Sequence, residues 1–173
     1  MRKGEDYAFS LNGAAEVLLM TDGTRSEARN IGAEQAKGDE LLFLDNDMDI
    51  SNINLQELNS YNYAVSTAYF SSNDMLDTIF ITSAQNWQAA VGLPLSYYGG
   101  FMYVRKADFN KIGPFKNNVF MEDIEFANRA VVKGYHINVF PYRVLHTRKF
   151  SGPSLARAID PINLGWGISE VTI

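Results

Sequence analysis

Residues 41–49 read LLFLDNDMD, four apolar residues that break directly into three carboxylates on alternate positions. An uninterrupted apolar run fits a strand buried on both faces, with no polar side to turn toward water. Ligands of open α/β sheets gather beyond the carboxyl ends of such strands, which is where Asp45 and Asp47 stand. If the chain stays extended, Asp45, Asp47 and Asp49 project to one side, and hard oxygen ligands converging there suit Mg²⁺ or Mn²⁺. The cation would relieve the repulsion among the carboxylates and grip a diphosphate.

The flanking pattern extends this strand into a sheet. Glu16 to Met20 is a short apolar run closed by the turn residues Thr21, Asp22, Gly23 and Thr24. Ser26 to Lys37 places Ala28, Ile31 and Ala36 near helical spacing, with Gly38 as the stop. With the strand at Leu41 to Leu44 the first half reads βαβ, expected to form parallel strands joined by a right-handed crossover. Asn54 to Ser60 predicts one or two helical turns and Tyr63 to Phe70 a strand. Met75, Leu76, Ile79, Phe80, Trp87, Ala90 and Val91 form a broad apolar stripe that predicts a core helix over 74–91, with a partner- or membrane-facing helix as the alternative. In the aromatic stretch Ser96 to Val104, the pair Gly99 and Gly100 signals a bulge or a close backbone approach to a ligand. Ala107 to Gly113 resembles a helical turn. Glu122 to Gly134 predicts a helix with Ile124, Ala127, Ala130 and Val131 on one face. His136 to Phe140 and Arg143 to Thr147 predict two short strands around Pro141. The expected fold class is α/β, a three-layer α/β/α arrangement with a mostly parallel central sheet. One domain spans residues 1–150, and 151–173 form a tail without a predicted structure.

Composition removes several function classes. At 173 residues, 46% hydrophobic and 20% charged, the chain suits one globular domain and not a disordered one. The absence of cysteine excludes a thiolate metal site and a cysteine nucleophile. A formal charge of −5 disfavours a general nucleic-acid surface, which needs a basic footprint. Arg143, Arg148, Lys149 and Arg157 give the C-terminal part a basic bias, read as a solvated face or an anionic-surface contact. No apolar run approaches the ~18 residues of a membrane span, and the N-terminus lacks the apolar core of a signal peptide. The expected location is the cytoplasm, with peripheral contact to a membrane or a protein partner left open.

Three groups of motifs then combine. Ala28-Arg29-Asn30, with Gly32 and Ala36-Lys37-Gly38, leads into Leu42-Phe43-Leu44-Asp45-Asn46-Asp47. Gly99-Gly100-Phe101 runs through Ile112-Gly113-Pro114-Phe115 to Glu122-Asp123. Glu122-Asp123-Ile124-Glu125 is followed by Arg129, Lys133-Gly134-Tyr135 and His146. Together, over about residues 16–147, they resemble the nucleotide-sugar-dependent glycosyltransferases of the GT-A fold, especially family 2. The resemblance implies sugar transfer, with inversion, from a nucleoside diphosphate-sugar (UDP- or GDP-sugar) to an acceptor hydroxyl on a glycan, lipid or protein. It implies Mn²⁺ or Mg²⁺ on Asp45, Asp47 and His146, and donor contacts from Asp22, Arg29, Asp45, Asn46 and Gly100. It also implies Asp123 as general base, with Glu122 beside it to orient the acceptor. Family 2 domains usually open on a strand ending in P-x-x-N and a second ending in D-D-G-S. Here Thr21-Asp22-Gly23 leads almost directly into the A-R-N helix, so Tyr7 to Leu11 is a reduced first strand or part of the nucleoside pocket has been dispensed with.

Other readings of the same residues fare less well. An EF-hand loop would need Gly where Ile50 stands and a bidentate Glu where Gln56 stands. A phosphohydrolase of the haloacid-dehalogenase class, with Asp45 as nucleophile, leaves the Glu122-Asp123 helix unexplained. A non-catalytic nucleotide- or sugar-binding module on the same fold would have no use for a base at Asp123. For single residues two roles stay open. Asp123 is a base or a helix N-cap, and His146 a metal ligand or a hydrogen-bonded structural residue. Arg29 reaches the nucleotide or pairs with Glu27 or Glu34. Asp22 accepts from the nucleobase or closes a turn.

Overall fold

The computed structural model describes residues 14, 16–75, 78, 82–93, 97, 100–117, 119 and 121–147, with the backbone of 170–172. In chain order the elements are β1 (Leu18–Met20), α1 (Arg25–Gln35), β2 (Glu40–Asp45), β3 (Met48–Asp49), a 3-10 helix (Leu55–Tyr61), β4 (Val65–Ser72), α2 (Ser83–Ala90), β5 (Phe101–Arg105), α3 (Lys106–Ile112), α4 (Glu122–Val132), β6 (Ile137–His146) and β7 (Glu170–Thr172). The strands form one sheet in the order β1-β7-β2-β5-β4-β6-β3.

The fold is α/β, but the sheet is mixed and not mostly parallel. Among the described residues only β4 and β6 pair in parallel, while the other five pairings are antiparallel. The apolar run of β2 reports burial on both faces and says nothing about strand direction. Leu41 and Phe43 face one core cluster and Leu42 and Leu44 the other, yet both neighbours of β2, β5 and β7, run against it. The strands of the β1-α1-β2 unit do point the same way, with β7 inserted between them. Glu170–Thr172 therefore belongs to the same sheet as the strands between Leu18 and His146, while the rest of the expected tail lies outside the described residues, as does Tyr7 to Leu11.

One face of the sheet is covered by helices. Ala33 and Ala36 from the end of α1, Phe109 and Ile112 from α3, and Phe126, Ala127 and Ala130 from α4 pack on Leu41, Phe43 and Val104. The other face is covered by Ile50 and Ile53 of a loop and Leu55 and Leu58 of the 3-10 helix, against Leu42, Leu44, Phe101 and Phe140. Helix α1 starts on a capping box: Glu27 N–H donates to Thr24 Oγ1 at 3.3 Å and Thr24 N–H donates to Glu27 Oε2 at 2.8 Å. The sequence T-R-S-E carries this signal.

Three elements depart from expectation. The two strands foreseen around Pro141 are one strand, β6, in which Ala68 faces Phe140 and the next residue, Tyr69, faces Arg143. Pro141 and Tyr142 bulge out there, as a residue without an N–H requires. The core face of α4 consists of Glu122, Asp123, Phe126, Ala127 and Ala130. Val131 is exposed, so the two carboxylates and not the outer valine complete the buried stripe. The stripe over 74–91 does not make a core helix where described: in α2 only Ala89 is buried, and Met75 and Trp87 are 74% and 63% exposed. Leu76, Ile79 and Phe80 lie outside the described residues.

Helix α2 is joined to the sheet by a polar clamp. Among the described residues β4 and β5 pair at Val65 and Ser66, and farther along β4 Asn86 reaches Phe70. Its Oδ1 accepts from Phe70 N–H and its Nδ2 donates to Phe70 O, each at 2.7 Å. No helix of the described residues is long and apolar enough to cross a membrane.

Candidate active site

Strands β1, β2, β4 and β6 share a direction, so their carboxyl ends lie along one edge of the sheet. The turn after β1, Asp45 at the end of β2 and His146 at the end of β6 all fall on that edge. The chain does not stay extended after Asp45; it turns at Asn46 and Asp47. Beyond the turn, β3 pairs with the far end of β6, Met48 opposite His146 and Asp49 opposite Leu145. Asp47 is pinned there by its carbonyl, which accepts from Thr147 N–H at 2.8 Å and from Thr147 Oγ1 at 2.9 Å. Its carboxylate Oδ2 lies 3.4 Å from His146 Nε2, with both side chains largely buried. Asp49 is drawn away from the other two, accepting Ser51 N–H at 2.9 Å. The alternation of three carboxylates thus becomes a pair, Asp47 and His146, with Asp45 beside them.

Asp45 faces basic residues of α1. Its Oδ1 is 3.6 Å from Arg29 Nη2. Burial pushes its carboxyl up to about 6; Arg29 and Arg25 pull the other way, and the nearby charges of Asp47 and Asp123 add to the rise. Asp47, Asp123, Arg25 and Arg29 therefore all sit within electrostatic reach of Asp45.

Arg29 pairs with neither Glu27 nor Glu34. It is fully buried and donates from Nη1 to Glu122 Oε1 at 2.6 Å. Glu122 is thus engaged with α1 at the first position of α4. Asp123 is not the N-cap: Met121 holds that position, in the left-handed region at φ 56°, without a side-chain cap bond. Asp123 occupies the next position inside, buried, its Oδ1 accepting Ile124 N–H at 2.8 Å. There it faces the positive end of an 11-residue helix.

Asn46 and Asp22 are exposed on the same edge. Gly100 is approached closely, but by the chain itself: a Cβ there would lie 2.5 Å from Met48 Cε and 3.1 Å from Phe70 Cε1. Its missing side chain makes room for the residue that follows Asp47. Sequence reasoning missed Arg25, whose position at the start of a helix after a strand and turn was the available signal. It also missed Tyr97, which is fully buried, donates to Tyr103 O at 3.2 Å and stacks on Phe126. Burial holds its hydroxyl far above the ordinary tyrosine range.

A family model described as glycosyl transferase family group 2 matches residues 40–159. The match takes in the D-x-D turn, the glycine and aromatic strand, the I-G-P-F turn, the E-D helix and His146. No curated protein matches the chain. With most of its length inside that match, the chain belongs to glycosyl transferase family group 2.

Proposed function

We propose that this edge of the sheet transfers a sugar from a nucleoside diphosphate-sugar to an acceptor hydroxyl, with inversion. The observation that carries the reading is the gathering around Asp45 of Asp47, of Asp123 from a distant segment, and of two arginines of one helix. A pure binding module would have no need to bury a carboxylate at the positive end of a helix beside the D-x-D turn.

In a single displacement the acceptor O–H proton passes to a carboxylate oxygen of Asp123. The freed electron pair forms the new bond to the anomeric carbon, and the bond from that carbon to the diphosphate oxygen breaks with its pair. Attack opposite the leaving group inverts the centre. Proton removal of this kind contributes ~10²–10⁴ in rate. The donor chemistry of Asp47 and His146, a carboxylate and an imidazole 3.4 Å apart, fits a divalent cation. Among the described residues no three His, Cys, Asp or Glu side chains make a metal site by themselves, so the remaining ligands would be diphosphate oxygens and water. Bound there, Mn²⁺ or Mg²⁺ would neutralise charge on the departing diphosphate, and the imidazole nitrogen favours Mn²⁺. Arg25, at the start of α1, adds positive charge beside the phosphates, and Asp22 and Asn46 are left to the nucleoside.

Calorimetry with UDP and GDP, with Mn²⁺ or with EDTA, tests the donor side. Binding is expected with Mn²⁺ and lost with EDTA or in Asp47→Ala; equal affinity in all conditions sinks the metal assignment. For the base, Asp123→Asn should still bind nucleotide while turnover falls about 100-fold or more. An active Asn variant with an unchanged melting temperature refutes the base.

A further inference from the structure

We propose that Arg29 is a positioning residue, joining the D-x-D strand to the helix that carries the base without itself touching the nucleotide. The inference rests on the glycosyl-transfer reading. Arg29 is 0% exposed, and its two terminal nitrogens are directed at two different carboxylates, Glu122 at 2.6 Å and Asp45 at 3.6 Å. Its guanidinium lies 5.3 Å over the ring of Phe115. A nucleotide bound at the sheet edge finds no free face of this side chain, whereas Arg25, one turn earlier, is part-exposed.

The neighbours of Arg29 on α1 act on the same segment. Asn30 grips the backbone of Phe115 from both sides, donating to its carbonyl and accepting its N–H at 2.8 Å each. Ser26 Oγ donates to Lys116 O at 2.9 Å. Helix α1 therefore holds the approach to α4 at Phe115 and Lys116, and the entry itself at Glu122. That entry needs holding, because α4 begins on a left-handed Met121 and has no side-chain cap. Asp123 is covalently next to Glu122, so any movement of the Arg29 contact moves the base relative to Asp45. Only a guanidinium presents two nitrogens in a fixed fork; the single ammonium of lysine would serve one carboxylate and release the other.

The test uses Arg29→Lys and Glu122→Gln in the full chain, with UDP and GDP affinity in Mn²⁺, turnover and melting temperature measured together. A misplacement near 1 Å costs about 100-fold in rate. Turnover is therefore expected to drop at least about 10-fold in both variants, with nucleotide affinity within about threefold of wild type. Nucleotide affinity falling in step with turnover would overturn the proposal in favour of direct donor contact. A folded Arg29→Lys with wild-type turnover would also overturn it. If Arg29→Lys does not fold, Glu122→Gln decides by the same split. A wild-type chain that neither binds nucleotide nor transfers sugar would overturn the glycosyl-transfer reading instead. The linkage itself is then read from stability alone, through Asp45→Asn, Glu122→Gln and the double variant. Changes in melting temperature that do not add in the double variant support coupling through Arg29, and fully additive changes refute it.

Discussion

Replacing Arg129 with methionine removes the clamp on the I-G-P-F turn, and its cost can be worked out bond by bond. Arg129 Nη1 donates to Ile112 O at 2.9 Å and to Gly113 O at 3.1 Å, and Nη2 to Pro114 O at 2.7 Å. Its Nε bonds both oxygens of Glu125 at 2.9 Å, and the guanidinium lies 5.4 Å over the ring of Phe126. Three carbonyl bonds at about 1–1.5 kcal/mol each dominate. The ion pair along the helix adds about 0.3–0.5 kcal/mol, and the ring contact about 0.5–1 kcal/mol. Methionine keeps the packing of the stem, so the expected loss is about 4–6 kcal/mol. For a chain of this size that is a fall of roughly 10–20 °C in melting temperature. Urea unfolding followed by circular dichroism measures it, with Arg129→Lys as the second variant. Lysine reaches one carbonyl only and should recover about a third of the loss. A methionine variant within about 1 kcal/mol of wild type would show that the turn holds its shape without the clamp.

Three further outcomes are expected. Gly100→Ala should cost about 1–3 kcal/mol, because the new methyl meets Met48 and the ring of Phe70; adding Met48→Ala should restore most of it in thermal melts, and no restoration would mean that Phe70 alone sets the limit. His146→Ala should lose its preference for Mn²⁺ over Mg²⁺ in nucleotide binding, since the imidazole is the ligand that distinguishes them; an unchanged ratio of affinities would remove His146 from the site. Burial alone would push the Asp108 carboxyl up, but hydrogen bonds from Lys111, Arg105 and Tyr135 outweigh it and hold it below its usual 3.8. Its contribution is therefore fully present above that value and is lost as pH falls through the lowered one. The stability gap between wild type and Asp108→Asn in urea should be constant from pH 7 to 5 and close below pH 4, and a gap that does not change with pH would contradict the assignment.

The parts of the fold legible in the sequence were those fixed by local chemistry. The runs at Leu18–Met20 and Glu40–Asp45 and the stop at Gly134 follow from burial and turn geometry within a few residues, whereas the first helix ends at Gln35, ahead of the stop expected at Gly38, and Thr24, read only as part of a turn, is its cap. Strand direction around β2 was not legible, because two-sided burial gives the same apolar run whichever way the neighbours point. Met75 and Trp87 misled for a related reason: apolar spacing predicts a face, but not whether anything covers it. At the site, Asp45, Asp47, Asp123 and His146 were all singled out as chemistry-bearing types. What remained hidden was their mutual arrangement. Asp49 looked equivalent to Asp47 until the turn at Asn46 separated them. The pairing of Arg29 with Glu122 spans most of the domain, and no local pattern encodes it.

The contact of Asn86 with β4 has a bearing on solubility. Strand backbone groups that are not bonded to a neighbour invite any extended peptide to add itself to the sheet. The carboxamide of Asn86 copies the donor and acceptor of a backbone peptide and occupies both groups of Phe70. One side chain thereby serves as a strand one residue long, occupying the backbone groups of Phe70 that would otherwise invite β-augmentation and self-association. Aspartate at the same position would be nearly isosteric, yet it could not donate to Phe70 O, and half of the peptide mimicry would be lost.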